Sequence, residues 1–155
     1  MQEWGDSLVE LKVDRVLDDS ATDTRIVVLS RSDDPREHLM IWIGASEGEA
    51  IRRILDGLVT PRPMSHDLIK NMGEHLGIKT TKVVLTDVKH NTYFATVYLD
   101  AKGVTRTIDA RPSDAIALAL RCSAPVYATA DVWKRRSGQN LEAWLNKIES
   151  KQLET

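Results

Sequence analysis

The chain has 155 residues, 42% of them hydrophobic and 28% charged, and its 21 basic against 23 acidic side chains leave a formal charge of −2. A chain of this length suits one domain that buries roughly 68–70% of its unfolded surface, and the near-neutral total removes any global pull onto nucleic acid or anionic lipid. The single cysteine, Cys122, excludes an internal disulfide, and no run approaches the ~20 apolar residues of a membrane span, so the chain is expected to be cytoplasmic with no membrane partner.

Leu8 to Leu17 alternates apolar and polar residues, the period of two that marks a half-buried strand. Arg25 to Ser30 and His38 to Ile43 supply two more strands, separated by the turn-rich segments Asp18-Asp19-Ser20 and Ser32-Asp33-Asp34-Pro35. Ser46 is expected to cap a helix through about Leu58 that buries Ala50, Ile51, Ile54, Leu55 and Leu58, and Thr60-Pro61-Arg62-Pro63 ends it. A second helix starts near Ser65, presents Leu68, Ile69, Met72 and Leu76 on one side, and stops at Gly77. Thr81 to Val88, Tyr93 to Leu99 and Val104 to Ile108 read as strands joined by hairpins at His90-Asn91 and Ala101-Lys102-Gly103. Pro112 opens a further helix to about Arg121, Lys134 to Gln139 reads as a charged loop, and Leu141, Trp144, Leu145 and Ile148 fall at helical spacing.

The chain also repeats itself. Ile41 to Ile51 aligns without a gap on Arg106 to Ile116, both ending an extended run in Ile-x-Ala before a helix with an acid in its first turn. Met64-Ser65-His66-Asp67 similarly meets Ala128-Thr129-Ala130-Asp131. The expected fold is therefore α+β, an internal duplication of a three-strand, two-helix unit with a mainly antiparallel sheet. The repeats span about 8–77 and 79–132 within a domain of residues 1–132, followed by a loop and amphipathic helix over 133–155.

Residues kept in both copies serve the backbone, which singles out His66, Asp109 and Arg111 as peculiar to one. If the copies pack about a pseudo-twofold axis, His66, Asp67, Asp109, Arg111 and Asp114 surround one pocket. That pocket would offer imidazole for proton transfer, carboxylates for a divalent metal and arginine for phosphate. A structural reading stands beside this one: Asp67 and Asp114 favour their helix dipoles, Ser65, Ser113 and Thr129 cap helices, and Asp109 pairs with Arg111. Gly44-Ala45-Ser46-Glu47-Gly48 matches a nucleophile-elbow pattern, but the parallel sheet that motif needs is absent from the expected fold. The basic clusters Arg52-Arg53, Lys79 with Lys82, Arg106 with Arg111, and Lys134-Arg135-Arg136 are candidates for local phosphate contact.

Met40-Ile41-Trp42-Ile43-Gly44, Glu47 to Ile51, Thr60 to Leu68 and above all Ile108-Asp109-Ala110-Arg111-Pro112-Ser113-Asp114-Ala115-Ile116-Ala117-Leu118-Ala119 with Ala124-Pro125-Val126 resemble the bifunctional nuclease domain family. The likeness covers about residues 8–132. It implies a duplicated three-strand, two-helix unit, a homodimer, and hydrolysis of phosphodiester bonds in single-stranded RNA or DNA. On that basis His66, Asp109, Arg111 and Asp114 are the expected catalytic residues, and Arg62, Arg111 and Ser113 the expected substrate contacts. Asp67, Asp109 and Asp114 are the expected ligands of Mg²⁺ or Mn²⁺. The alternative is a non-catalytic regulatory or interaction module whose cleft binds a small anion or a protein partner.

Overall fold

Alternating β-branched residues become strands, and the longer 3.6-period runs become helices packed against the sheet they form. The computed structural model describes residues 8–138 and 145–146. Its elements run β1 (Leu8–Asp19), β2 (Thr24–Arg31), β3 (Asp34–Gly44), α1 (Ala45–Leu55), α2 (Ser65–His75), β4 (Ile78–Lys89), β5 (Thr92–Ala101), β6 (Val104–Ala110), α3 (Pro112–Cys122), β7 (Val126–Thr129) and α4 (Ala130–Arg136). The seven strands form one sheet in the order β3-β2-β1-β7-β4-β5-β6. Every neighbouring pair is antiparallel except β4 and β7. The α+β class with a mainly antiparallel sheet is thus as expected.

Each three-strand meander is followed by a helix, and β7 lies between the two meanders, where Val126 sits between Leu11 of β1 and Val83 of β4. This four-residue strand was not expected from the sequence, because Val126-Tyr127-Ala128-Thr129 is too short to show a period. Central strands buried on both faces need no alternation.

The main core joins Val27, Leu29, Leu39 and Ile41 to Val83, Leu85 and Ala95 beneath α1 and α3. In α3, Ala115, Ile116, Ala117 and Ala119 are fully buried, and the small side chains let the helix lie close to both the sheet and α1. Gly48 does the same for α1, since a Cβ there would overlap the Arg25 side chain. The opposite face of the sheet carries Ile26, Val28 and Met40, with Leu17 and Leu145 packed on them.

Several expectations change. Gly44, Met64 and Arg111 occupy the N-cap positions expected for Ser46, Ser65 and Ser113, because β3 and β6 run directly into α1 and the turn before α3. Thr129 is a cap as expected, its Oγ1 accepting from the Val132 N–H at 3.2 Å. α1 stops at Leu55 and leaves Leu58 61% exposed. The apolar stripe of α2 and its C-cap stays outside the core: Leu68, Ile69, Met72 and Leu76 are 55%, 50%, 56% and 65% exposed. Lys134 to Arg136 close α4 rather than forming a loop, and the expected boundary at 132/133 falls inside that helix, with Trp133 buried in the main core. The helix expected over Leu141 to Leu153 lies outside the described residues except at Leu145 and Asn146, which are helical.

Candidate active site

The N-terminal turns of α1, α2 and α3 meet at one end of the helical layer. Pro112 occupies the first position of α3, where its missing N–H costs nothing, and the helix then places Asp114 in its first turn, three residues beyond Arg111. The two oxygens of Asp114 are used separately. Oδ1 lies 2.9 Å from His66 Nε2 across the gap to α2, and Oδ2 accepts from Arg111 Nε at 2.9 Å. Arg111 also donates from its terminal nitrogen to Glu47 of α1 at 3.5 Å. Glu47 reaches that position by folding back over Gly44, where any Cβ would collide with its carboxylate. Three helices are therefore tied through one carboxylate and one guanidinium.

Burial pushes the Asp114 carboxyl up, but the hydrogen bonds from Arg111 and His66 outweigh it and hold the group below the ordinary carboxylate value. Asp114 thus stays ionised, and because a carboxylate only accepts, the His66 contact is an Nε2–H donation that turns Nδ1 away from Asp114. The His66 side chain is 12% exposed and that of Arg111 65% exposed, so the imidazole is sheltered while the guanidinium faces outward. His66 and Asp114 form one end of a cleft of about 650 Å³ between α2 and strands β4, β5 and β6.

The expected constellation is only partly assembled. His66, Arg111 and Asp114 come together. Asp67, next to His66 in sequence, turns the other way: its Oδ2 accepts from the Met64 backbone N–H and its Oδ1 from Arg121, both at 2.8 Å. Asp109 is on the far side of the sheet. Its neighbours Ile108 and Ala110 line the cleft, and alternation along β6 sends Asp109 to the opposite face, paired in register with Thr96. The anticipated Asp109–Arg111 ion pair does not form, because Arg111 stands at the start of α3 and turns to Asp114 and Glu47 instead. Ser113 is buried at 5% exposure, and Arg62 is exposed in the loop before α2.

Mg²⁺ and Mn²⁺ favour several oxygen ligands converging at about 2.0–2.2 Å, and three carboxylates facing Arg121, the His66–Arg111 pair and the outer sheet face do not fit one ion. Among the described residues no three His, Cys, Asp or Glu side chains gather at metal-binding spacing.

Sequence reasoning missed Arg121 and Glu47. Arg121 is 5% exposed and, besides Asp67, donates to the backbone carbonyls of Ala117 and Ala50 at 3.0 and 3.1 Å. It anchors the start of α2 to α1 and α3, and so positions His66. A single arginine near a helix end carries no local signal that it will be buried by a helix 54 residues away in sequence.

The model of the bifunctional nuclease domain matches residues 27–140. An uncharacterized protein of Mycobacterium tuberculosis is 38% identical over 101 residues, 65% of this chain and 60% of that protein. Bifunctional nuclease 1 of Oryza sativa subsp. japonica is 31% identical over 103 residues, 64% of this chain and 31% of the plant protein. Bifunctional nuclease 2 of Arabidopsis thaliana is 37% identical over 68 residues, 42% of this chain and 21% of its own length. The match therefore spans less than two thirds of each of these relatives. No helix among the described residues is long and apolar enough to cross a membrane. With the family model covering most of its length, this chain belongs to the bifunctional nuclease domain family.

Proposed function

We propose that this chain hydrolyses phosphodiester bonds of single-stranded nucleic acid, with His66 moving the proton, Asp114 fixing its ring and Arg111 holding the scissile phosphate. The observation that carries this reading is the one carboxylate whose two oxygens hold an imidazole and a guanidinium side by side. The Nδ1 of His66 takes a proton from the attacking water, and the ionised Asp114 stabilises the imidazolium that results. The same imidazolium then returns its proton to the departing oxygen. Arg111 has N–H groups beyond those bound to Asp114 and Glu47, and these neutralise charge on the phosphoryl oxygens. An open cleft beside α2 suits a flexible single strand, whose backbone is tracked by scattered cations. Membership of a family whose plant relatives are named bifunctional nucleases supports the same chemistry.

A homodimer is part of this proposal, since Leu68 and Met72 are 55% and 56% exposed on the side of α2 away from the cleft. Apolar side chains grouped in this way mark an interaction face.

Cleavage of a labelled single-stranded oligonucleotide tests the site. Expected outcomes are a loss of about 10²–10⁴-fold for His66→Ala, a comparable loss for Asp114→Asn, and little change for Asp109→Ala. Activity should also persist in a chelator, given the divergence of the carboxylates. Cleavage unaffected by His66→Ala, or abolished by Asp109→Ala, removes this site. A protein with no cleavage above a mock preparation is instead the non-catalytic module.

A further inference from the structure

Of the basic pair Arg52-Arg53, the fold commits one member to structure and leaves the other over. Arg52 donates to Glu49 at 2.8 Å, to Asp18 at 2.7 Å and to the Val16 carbonyl at 3.0 Å. Arg53 instead reaches across to the start of α2, where its Nη1 lies 4.0 Å from Met64 Sδ, and it has no ion pair with a described residue. A thioether is a weak acceptor and carries no charge, so the guanidinium is left without an anion.

Two hollows meet at this side chain. One of about 350 Å³ lies between the starts of α1 and α2, with Ser46, Glu49 and Met64 in its walls, and one of about 290 Å³ lies against the loop that joins those helices. Arg53 and Arg121 line both. The acids there are already answered: Glu49 by Arg25 at 3.3 Å and Arg52 at 2.8 Å, and Asp67 by Arg121 at 2.8 Å. Positive charge therefore prevails at the junction. Ser46 adds a hydroxyl that no cap consumes, because Gly44 holds the N-cap position of α1.

The larger hollow adjoins the candidate active site. Ser46 precedes Glu47, the acid bound by Arg111, and Met64 stands two residues before His66. Cleft and hollow thus flank one site, the first lined by His66 and the second by Met64. A strand with its scissile phosphate at Arg111 must place the neighbouring phosphate, and phosphates are held by guanidinium and hydroxyl donors that fix the register of the chain.

We propose that the hollow between the starts of α1 and α2 is a second phosphate subsite, in which Arg53, helped by the Ser46 hydroxyl, holds the phosphate next to the scissile one. This inference rests on the phosphodiesterase reading above. Arg53 touches no reacting atom in this arrangement, so it sets KM and leaves kcat alone.

Fluorescence anisotropy of the full chain with hexathymidylate over a range of salt concentrations, read beside cleavage rates, tests the subsite. Each phosphate contact on a single strand adds about 0.7 to the slope of log affinity against log salt. Arg53→Gln should lower that slope by about 0.7, weaken binding about fivefold at low salt and raise KM by the same factor, with kcat within about twofold. Arg53→Lys should keep the slope, which separates loss of charge from loss of fold. Arg36→Gln, which removes an exposed charge on β3, should leave slope and KM unchanged. With one linkage of the hexamer made a neutral methylphosphonate, wild type should cut the adjacent linkage on one side about fivefold less, and Arg53→Gln should lose that bias. An unchanged slope in Arg53→Gln, a loss confined to kcat, a bias that persists in Arg53→Gln, or no saturable binding of hexathymidylate overturns the subsite. The two readings fail separately: cleavage indifferent to Arg53→Gln removes the subsite and keeps the nuclease, whereas binding that depends on Arg53 without cleavage keeps the subsite and removes hydrolysis.

Discussion

Asp67 and Asp114 both stand in the first turn of a helix, a position where any acid gains from the dipole. Here Asp67 is also bound to Arg121 of α3, and Asp114 to Arg111 at its own helix start and to His66 of α2. The Met64 N–H and then Arg121 hold the Asp67 carboxyl below its ordinary value against the opposing effect of burial, and Asp114 is lowered likewise. As pH falls the unfolded chain therefore takes up protons first. The stability these groups contribute is present above their unfolded value of about 3.9 and is lost as pH drops through the lower folded values. Urea midpoints between pH 6 and pH 2 should show that loss, with a shallower slope in Asp67→Asn. At neutral pH, Asp67→Ala should cost about 3 kcal/mol in a urea titration, because it leaves the nearly buried Arg121 guanidinium without its anion. A change within about 0.5 kcal/mol would mean that the two backbone carbonyls alone satisfy Arg121.

Among the elements, α1 and α2 have the same length and similar amphipathic sequences but opposite fates. α1 buries Gly48 and Ile51 against the sheet, whereas α2 buries none of its residues and is held by the His66–Asp114 and Asp67–Arg121 contacts. The difference lies in what each helix meets. α1 follows β3 without a break and lies over β2, where Gly48 admits Arg25. Gly48→Ala should therefore destabilise by about 1–3 kcal/mol, despite the better helix propensity of alanine, because the added methyl displaces Arg25 or lifts the helix. A stabilised variant in thermal unfolding would show that Arg25 moves aside freely. α2 follows a proline-rich loop and spans the outer part of the sheet, where β6 has no buried side chain. Its apolar stripe therefore borders a cleft instead of a core.

At the scale of the molecule, β7 joins the two meanders: it pairs with β1 on one side and β4 on the other, and α4 follows it with Val132 and Trp133 in the main core. A chain ended after Pro125 would leave β1 and β4 as facing unpaired edges, and is expected to lose the cooperative unfolding transition seen by circular dichroism and to aggregate. A truncated protein that retains a sharp transition would show that a meander folds without its neighbour. Local pattern was enough for the six long strands, the three helices that open near Gly44, Ser65 and Pro112, and the α+β class, because periods of two and 3.6 are written in adjacent residues. It also picked out His66, Arg111 and Asp114 by type and helix-start position, and the fold brings these three together. Only the folded chain decided which polar groups meet. Alternation along β6 takes Asp109 to the other face, Arg121 is drawn inward by an acid on a different helix, and α2 is left with an unburied apolar side. Those outcomes depend on strand register and on contacts between residues far apart in sequence, which no local period records.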